Sequence, residues 1–198
     1  MTANYLHTLF GDAARHLQEE AGSRTAYARM EARSGPGADA FTEKEIGFLE
    51  RRDSFYMASV TADGWPYVQH RGGMPGFVRV LGPQRIGFAD YPGNRQYISL
   101  GNIEGDDRVA LFFMDYPARR RLKLIGHAKR VPAEDAMIVT EDGVDSALVV
   151  DIVGFDWNCP QYITQRFTLG ELGPEIDALR DENATLRAEL ARLKGPSK

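Results

Sequence analysis

The sequence is short of the features that usually announce a chemistry. It has one cysteine, Cys159, among 198 residues. No disulfide can form within the chain, which excludes a cystine-stapled scaffold and fits a reducing compartment. No apolar run approaches the roughly 18 residues of a membrane-spanning helix, so no membrane partner is expected. The amino terminus, MTANYLHTLFGDAARHLQEE, lacks a basic start followed by an apolar block. It does not read as a secretory signal, and the expected location is cytoplasmic. There is no basic excess either: the net charge is −4 and the pI is near 5.6, which argues against a general nucleic-acid binder. The chain contains no Walker loop, nucleophile elbow, HExxH or CxxC. Its four histidines show no metal-binding spacing. No catalytic residue and no metal site is assigned. These absences suit a site whose chemistry comes from an organic cofactor, with the protein supplying binding, orientation and electrostatics.

What is present is concentrated between Pro66 and Ile103, in PYVQHRGGMPGFVRVLGPQRIGFADYPGNRQYISLGNI. Two glycine-rich turns there each carry an arginine: His70-Arg71-Gly72-Gly73, and Pro92-Gly93-Asn94-Arg95-Gln96. Arginine offers a planar fork of donors suited to phosphate. Glycine lets backbone approach a ligand closely. Two such turns at the ends of short apolar strands point to a phosphorylated, flat ligand. Asn94 and Gln96 also fit caps of a following helix, whose N-terminus favours phosphate as well.

Around this segment the periodicity marks out elements. Residues 4–33 carry an apolar stripe at helical spacing, Leu6, Leu9, Phe10, Ala13 and Leu17, with Gly22 as a stop. Ser34-Gly35-Pro36-Gly37 reads as a loop. Thr42 with Glu45 forms a capping box ahead of a helix. From Ser54 the period changes to two. Ser54–Thr61 and Trp65–Arg71 read as a hairpin about Ala62-Asp63-Gly64. Phe77–Leu81, Arg85–Ala89, Arg108–Met114, Arg121–Val131 and Ala147–Trp157 read as further strands, with short helices over Asn94–Asn102 and Pro132–Val139. The expected fold is mainly β with flanking helices: a small antiparallel barrel of six or so strands. The expected segments are an N-terminal helical extension (1–41), the barrel (42–170) and a C-terminal helix (171–198).

That last helix has a heptad pattern. Leu172, Leu179, Leu186 and Leu193 recur every seven residues, and Ile176, Asn183 and Leu190 occupy the other seam position. With the leucines at d, the g positions are Glu175, Glu182 and Glu189, and the following e positions are Arg180, Arg187 and Lys194. In a parallel two-stranded coil, each g faces the next e of the partner. Asn183 at an a position is the polar residue that fixes register and favours two strands. Pro174 reads as the helix start and Gly195-Pro196 as its stop. No basic region precedes the heptads, so a zipper-type DNA reader is not expected.

Residues of about 42–167 resemble the pyridoxamine 5′-phosphate oxidase-like, FMN-binding split-barrel proteins. The resemblance rests on RDSFYMASV, GWPYVQHRGG, IGFADYPGNRQYISLGNI, RVALFFMDYPARRRLKLIGHA and FDWNCPQYITQRF. It is closer to a bacterial flavin-binding subgroup than to the vitamin B6 oxidase. The resemblance implies a six-stranded split barrel that dimerises, with two FMN sites at the interface. Arg71 matches the arginine opening the first FMN-binding strand, and His70 to Met74, through Gly72 and Gly73, would follow the flavin edge and ribityl chain. Phe88, Ala89 and Asp90 match the strand beside the isoalloxazine. Asn94, Arg95 and Gln96 match the phosphate loop. Arg121 lies near a flavin contact contributed across the dimer, and Trp157 resembles a C-terminal tryptophan of the oxidase. Gln96 stands where the oxidase has a lysine. The lysine expected after the Arg71 strand is also missing from GGMPGF, so vitamin B6 is not carried over as substrate. The expected function is FMN-dependent oxidoreduction by hydride transfer through flavin N5, on a small-molecule substrate or electron donor. The alternatives are a non-catalytic flavin carrier or sensor, or a reductase using the deazaflavin F420. Haem would lack an evident ligand.

Overall fold

The structure is a computed structural model, and it describes residues 4–35, 37–136, 138, 144–157 and 160–194. In chain order its elements are α1 (Tyr5–Leu9), α2 (Asp12–Glu20), α3 (Arg24–Arg33), α4 (Glu43–Leu49), β1 (Ser54–Val60), β2 (Pro66–Gly72), β3 (Arg79–Gly82), β4 (Arg85–Ala89), α5 (Ile98–Gly105), β5 (Arg108–Asp115), β6 (Arg120–Pro132), β7 (Ser146–Trp157) and α6 (Leu169–Lys194). Two units divide the chain. The first holds residues 1–115 and 120–160, and the second holds residues 116–119 and 161–198.

Period-two patterning builds the first unit's sheet. Phe55 and Met57 on β1, Val109, Leu111 and Phe113 on β5, and Leu122 and Leu124 on β6 alternate with more exposed neighbours and share one core. The strands form one antiparallel sheet in the order β2-β1-β5-β6-β7-β4-β3. It has seven strands rather than the six or so expected. All seven fall on segments read from the sequence; β3, expected over Phe77–Leu81, is a four-residue edge, Arg79–Gly82, with an irregular register between Val80 and Gly82. The sheet is also open, because its edges β2 and β3 do not pair. It nevertheless curls on itself. Phe55 of β1 and Phe88 of β4 meet edge to face with ring centroids 5.0 Å apart, although three strands lie between theirs in the sheet order.

β7 departs from alternation, since Ser146 to Val150 are all buried. Leu148 and Val150 face the main core, while Ala147 and Val149 pack against Ala136 and Ile138 on the other face. Both faces are covered there, so the strand reads as a continuous apolar run. Between Ile125 and Gly126 the β6–β7 register shifts, and a Cβ at Gly126 would stand 2.4 Å from the Asp151 carbonyl oxygen. Only glycine fits that bulge.

The capping box at α4 is present. The Glu45 carboxylate accepts from the Thr42 amide at 3.0 Å and from the Thr42 hydroxyl. Several boundaries differ from expectation. The N-terminal helical stretch breaks at Phe10-Gly11, and its Leu9 and Leu17 are exposed. Gly22 does end α2, at φ +70°. Helix α5 begins at Ile98, not Asn94, because Arg95 and Tyr97 are left-handed. Residues 133–136 form turns rather than a helix, and Val139 lies outside the described residues.

In the second unit, α6 begins at Leu169, ahead of the expected Pro174. The Thr168 amide and hydroxyl both donate to the Glu171 carboxylate, at 2.8 and 3.0 Å, and the Glu171 amide donates back to the Thr168 hydroxyl. This second capping box starts the helix, and Pro174 is carried inside it. Gly195 and Pro196, read as the stop, lie outside the described residues, as does Cys159.

Candidate functional site

The two arginine-bearing turns flank one cleft of about 380 Å³. It opens at the split in the sheet, between edge strand β2, the end of β4 and the loop leading into α5. Of the residues expected at a flavin site, His70, Arg71, Gly72, Phe88, Ala89, Asp90, Asn94 and Gln96 line it. Gly73, Met74, Arg95, Arg121 and Trp157 are not among the lining residues. Met74 is 81% exposed.

Sheet register explains the division. Arg71 pairs with Phe55, Phe55 with Phe113, Phe113 with Leu122, and Leu122 with Trp157. Directly paired residues share a face, so this row runs along the core side, with Arg71 at the cleft and Trp157 at the far end. Trp157 donates to the Glu45 carboxylate at 2.6 Å and packs edge to face on Phe48 at 4.8 Å. Arg121 pairs with Met114, one residue out of phase with that row, so it belongs to the opposite face.

The cleft floor is aromatic. Phe77 and Phe88 line it, and behind them Phe55 stacks on Phe77 and Phe113 with centroids 5.8 and 4.7 Å away. Polar groups converge on the walls. Arg71 is held by Asp90, with Nη1 to Oδ1 at 3.5 Å, and both side chains are largely buried. Arg130 reaches the other Asp90 oxygen at 3.4 Å and donates to the Ser146 hydroxyl at 3.0 and 2.9 Å. The Asp90 amide donates to the Ser146 carbonyl at 2.9 Å, tying the end of β4 to β7. Both contacts of the Asp90 carboxylate are long for charge-assisted hydrogen bonds. The Arg71 Nε is buried with no hydrogen-bond partner among the described residues. The Nε atoms of Arg15 and Arg121, which do not line the cleft, share that state, so what sets Arg71 apart is a guanidinium held by Asp90 at the cleft wall.

The loop wall adds backbone donors. Gly93, Arg95 and Tyr97 have φ of +46°, +58° and +55°, with residues of negative φ between them. Alternating hands over successive residues make a concave run of amides suited to an anion. The first amides of α5 follow, without partners in their own helix. The Asn94 side chain accepts from the Gln96 amide at 3.2 Å, shaping the loop rather than capping α5. The Ser99 hydroxyl donates to the Gln69 side chain at 2.6 Å, bridging α5 to β2. An aromatic floor, an arginine held at the wall and an amide-rich loop together fit a flat, phosphorylated ligand such as FMN.

Sequence reasoning missed Tyr67, Gln69, Tyr97 and Ser99 on the lining, and Arg130 behind Asp90. Period two was the available signal for the first two. Tyr67, Gln69 and Arg71 share one face of β2, whereas the contiguous run from His70 to Met74 mixes faces. Arg130 had no local signal. Among the described residues there is no cluster able to hold a metal, and no helix long and apolar enough to cross a membrane.

Residues 41–145 match the family model described as pyridoxamine 5′-phosphate oxidase. The chain belongs to that family. Among curated proteins, none matches the chain. Similar solved structures include HupZ of Group A Streptococcus, 15% identical, covering 64% of this chain and 100% of that one, with a TM-score of 0.47. An F420 reductase is 22% identical over 59% of this chain and 98% of its own, with a TM-score of 0.43. An FMN-binding protein from Syntrophomonas wolfei is 9% identical over 59% and 87%, with a TM-score of 0.43.

Proposed function

We propose that the protein is an FMN-dependent oxidoreductase whose flavin site is the cleft between β2, β4 and the 90–100 loop. The observation that carries this reading is the Arg71 guanidinium, held by Asp90, at a cleft with an aromatic floor and an amide-rich wall. Arg71 would take the phosphate, helped by the loop amides and by Asn94, Arg95 and Gln96. Gln96 brings no charge, so the phosphate relies more on Arg71 and Arg95. His70, Ala89 and Asp90 would border the ring, and Phe88 would exclude water beneath it. Bound FMN supplies hydride transfer at N5, so no protein nucleophile is required. Asp90 holds Arg71 at the cleft, and Arg130 offsets the buried Asp90 charge.

The protein would act as a homodimer through the sheet. The face opposite the Phe55 row exposes Tyr56 at 43% and Val68 at 60%. These lie with Ala58, Ala110 and Phe112 around an apolar depression. Arg121 belongs to the same face, where a second copy could receive it. The small-molecule substrate would sit over the flavin.

Titration with FMN, followed by flavin fluorescence, tests the site. Arg71→Ala and Arg95→Ala should each weaken binding. Unchanged affinity in both would remove the phosphate assignment. Flavin retained without turnover on nicotinamide donors and oxygen would favour the carrier or sensor reading, and uptake of F420 in place of FMN would favour the deazaflavin one.

A further inference from the structure

Helix α6 carries an exposed apolar stripe. Leu179, Leu186, Leu190 and Leu193 are 58%, 51%, 54% and 84% exposed along one stripe of a continuous helix. The positions facing away from that stripe include Ala178, Ala184, Ala188 and Ala191, which favour helix without favouring burial.

The flanking charges point to the occupant. Glu182 has Leu179 and Ala178 before it, and Thr185 and Leu186 after it, at the three- and four-residue spacings where helix side chains meet. Arg187 has Ala184, Asn183, Leu190 and Ala191 at those spacings. Neither has an ion partner on its own helix. They are five residues apart, which is the offset at which g of one helix meets e of another in a parallel coil. An antiparallel pair would instead set g against g and e against e. Every g position here is glutamate, and every following e position is arginine or lysine. An antiparallel pair would therefore oppose like charges along both flanks, while a parallel in-register pair sets opposite charges together at each position, Arg180 also lying 3.1 Å from Asp177 on its own helix. Asn183 then meets its own copy at the seam, where two amides can pair and any other register would bury one against leucine.

We infer that α6 is a homodimerisation helix: it pairs parallel and in register with α6 of a second copy of this chain through Ile176, Leu179, Asn183, Leu186, Leu190 and Leu193. About three heptads are marginal alone. Coupled to another contact between the same two chains, the helix acts by effective concentration and tightens the dimer about 100-fold or more. This inference does not depend on flavin.

The test uses the full chain with Cys159→Ser as background. Leu193→Cys places thiols at the seam near the helix end, and Ala184→Cys places them on the outside. Mild oxidation should cross-link Leu193→Cys chains rapidly and leave Ala184→Cys chains largely monomeric on a reducing-agent-free gel. Adding Glu182→Arg, or Arg187→Glu, sets like charges together on both flanks. Either should slow the cross-link and raise the dissociation constant about tenfold. The double change Glu182→Arg with Arg187→Glu should restore both. Equal cross-linking at positions 193 and 184 would overturn the proposal. So would double-variant losses that add rather than cancel. Because the cross-link reads helix pairing directly, a sheet-mediated dimer cannot mimic it.

Discussion

Two buried carboxylates in the first unit have opposite surroundings. Glu45 sits at the start of α4 and is saturated: the Thr42 amide, the Thr42 hydroxyl and the Trp157 indole all donate to it at normal or short distances. Burial alone would raise its pKa, yet those hydrogen bonds hold it below the ordinary carboxylate value. Asp90 sits at the cleft, where its arginine contacts are stretched to 3.5 and 3.4 Å and a buried Arg71 N–H goes without a partner. The first arrangement is closed and holds α4 against β7. The second is looser, and it borders the cleft where a charged ligand is proposed to bind.

The contrast can be broken from either side. The largest effect on stability is expected at the closed site. Glu45→Ala removes the capping box and strands a buried indole N–H, and should cost about 3 kcal/mol by urea unfolding while leaving FMN affinity within a factor of about two. At the open site the pattern reverses. Arg71→Ala should cost about 2 kcal/mol of FMN binding, roughly 30-fold, with unfolding midpoints little changed. A protein that loses stability and keeps its affinity on Arg71→Ala would make Arg71 a structural residue and erase the contrast.

Acid sharpens it further. A carboxylate with a lowered folded pKa stabilises the fold above its unfolded value and loses that contribution as pH falls through the folded value. Burial pushes the pKa of Glu45 and Glu31 up, but hydrogen bonds from Thr42 and Trp157 to the first, and from Arg24 and Arg15 to the second, hold both below the ordinary carboxylate value of 4.5. Stability should therefore decline as pH drops below about 4.5. Glu45→Gln should lower stability at neutral pH and flatten that decline in urea titrations across pH 3–7. An unaltered slope would mean that the carboxylate carries no such linkage. The smallest effect is expected from Arg95→Ala. Arg95 does not line the cleft, and its loss should weaken FMN by about 1 kcal/mol or less, with the deficit shrinking as salt rises.

How far the sequence disclosed this arrangement depended on range. Local signals were readable: the Thr42–Glu45 capping box, the Ser54–Arg71 hairpin and a C-terminal helix. The two arginine turns were found as candidates because glycine and arginine cluster within each. Their convergence on one cleft depends on the sheet order β2-β1-β5-β6-β7-β4-β3, which brings β2 and β4 together only through the curl of the sheet. Arg130 was invisible for that reason, since its partner Asp90 lies two strands away through β7. Trp157 shows the opposite problem. As an aromatic at a strand end it fits a flavin stack equally well, and only the Glu45 and Phe48 contacts assign it a place on the far side of the core. The helix starts at Ile98 and Leu169 were misplaced because one depends on left-handed backbone and the other on a second capping box upstream of a misleading proline.

The most direct test pairs a change in the protein with a change in the ligand. FMN and riboflavin differ by the phosphate alone, so their affinities should be measured for the native protein and for Arg71→Ala. The native protein should prefer FMN by about 30-fold or more, and Arg71→Ala should lose most of that preference while binding riboflavin unchanged. If FMN and riboflavin bind the native protein equally, or Arg71→Ala keeps the full preference, the cleft does not hold a phosphate through Arg71 and the proposed site is wrong.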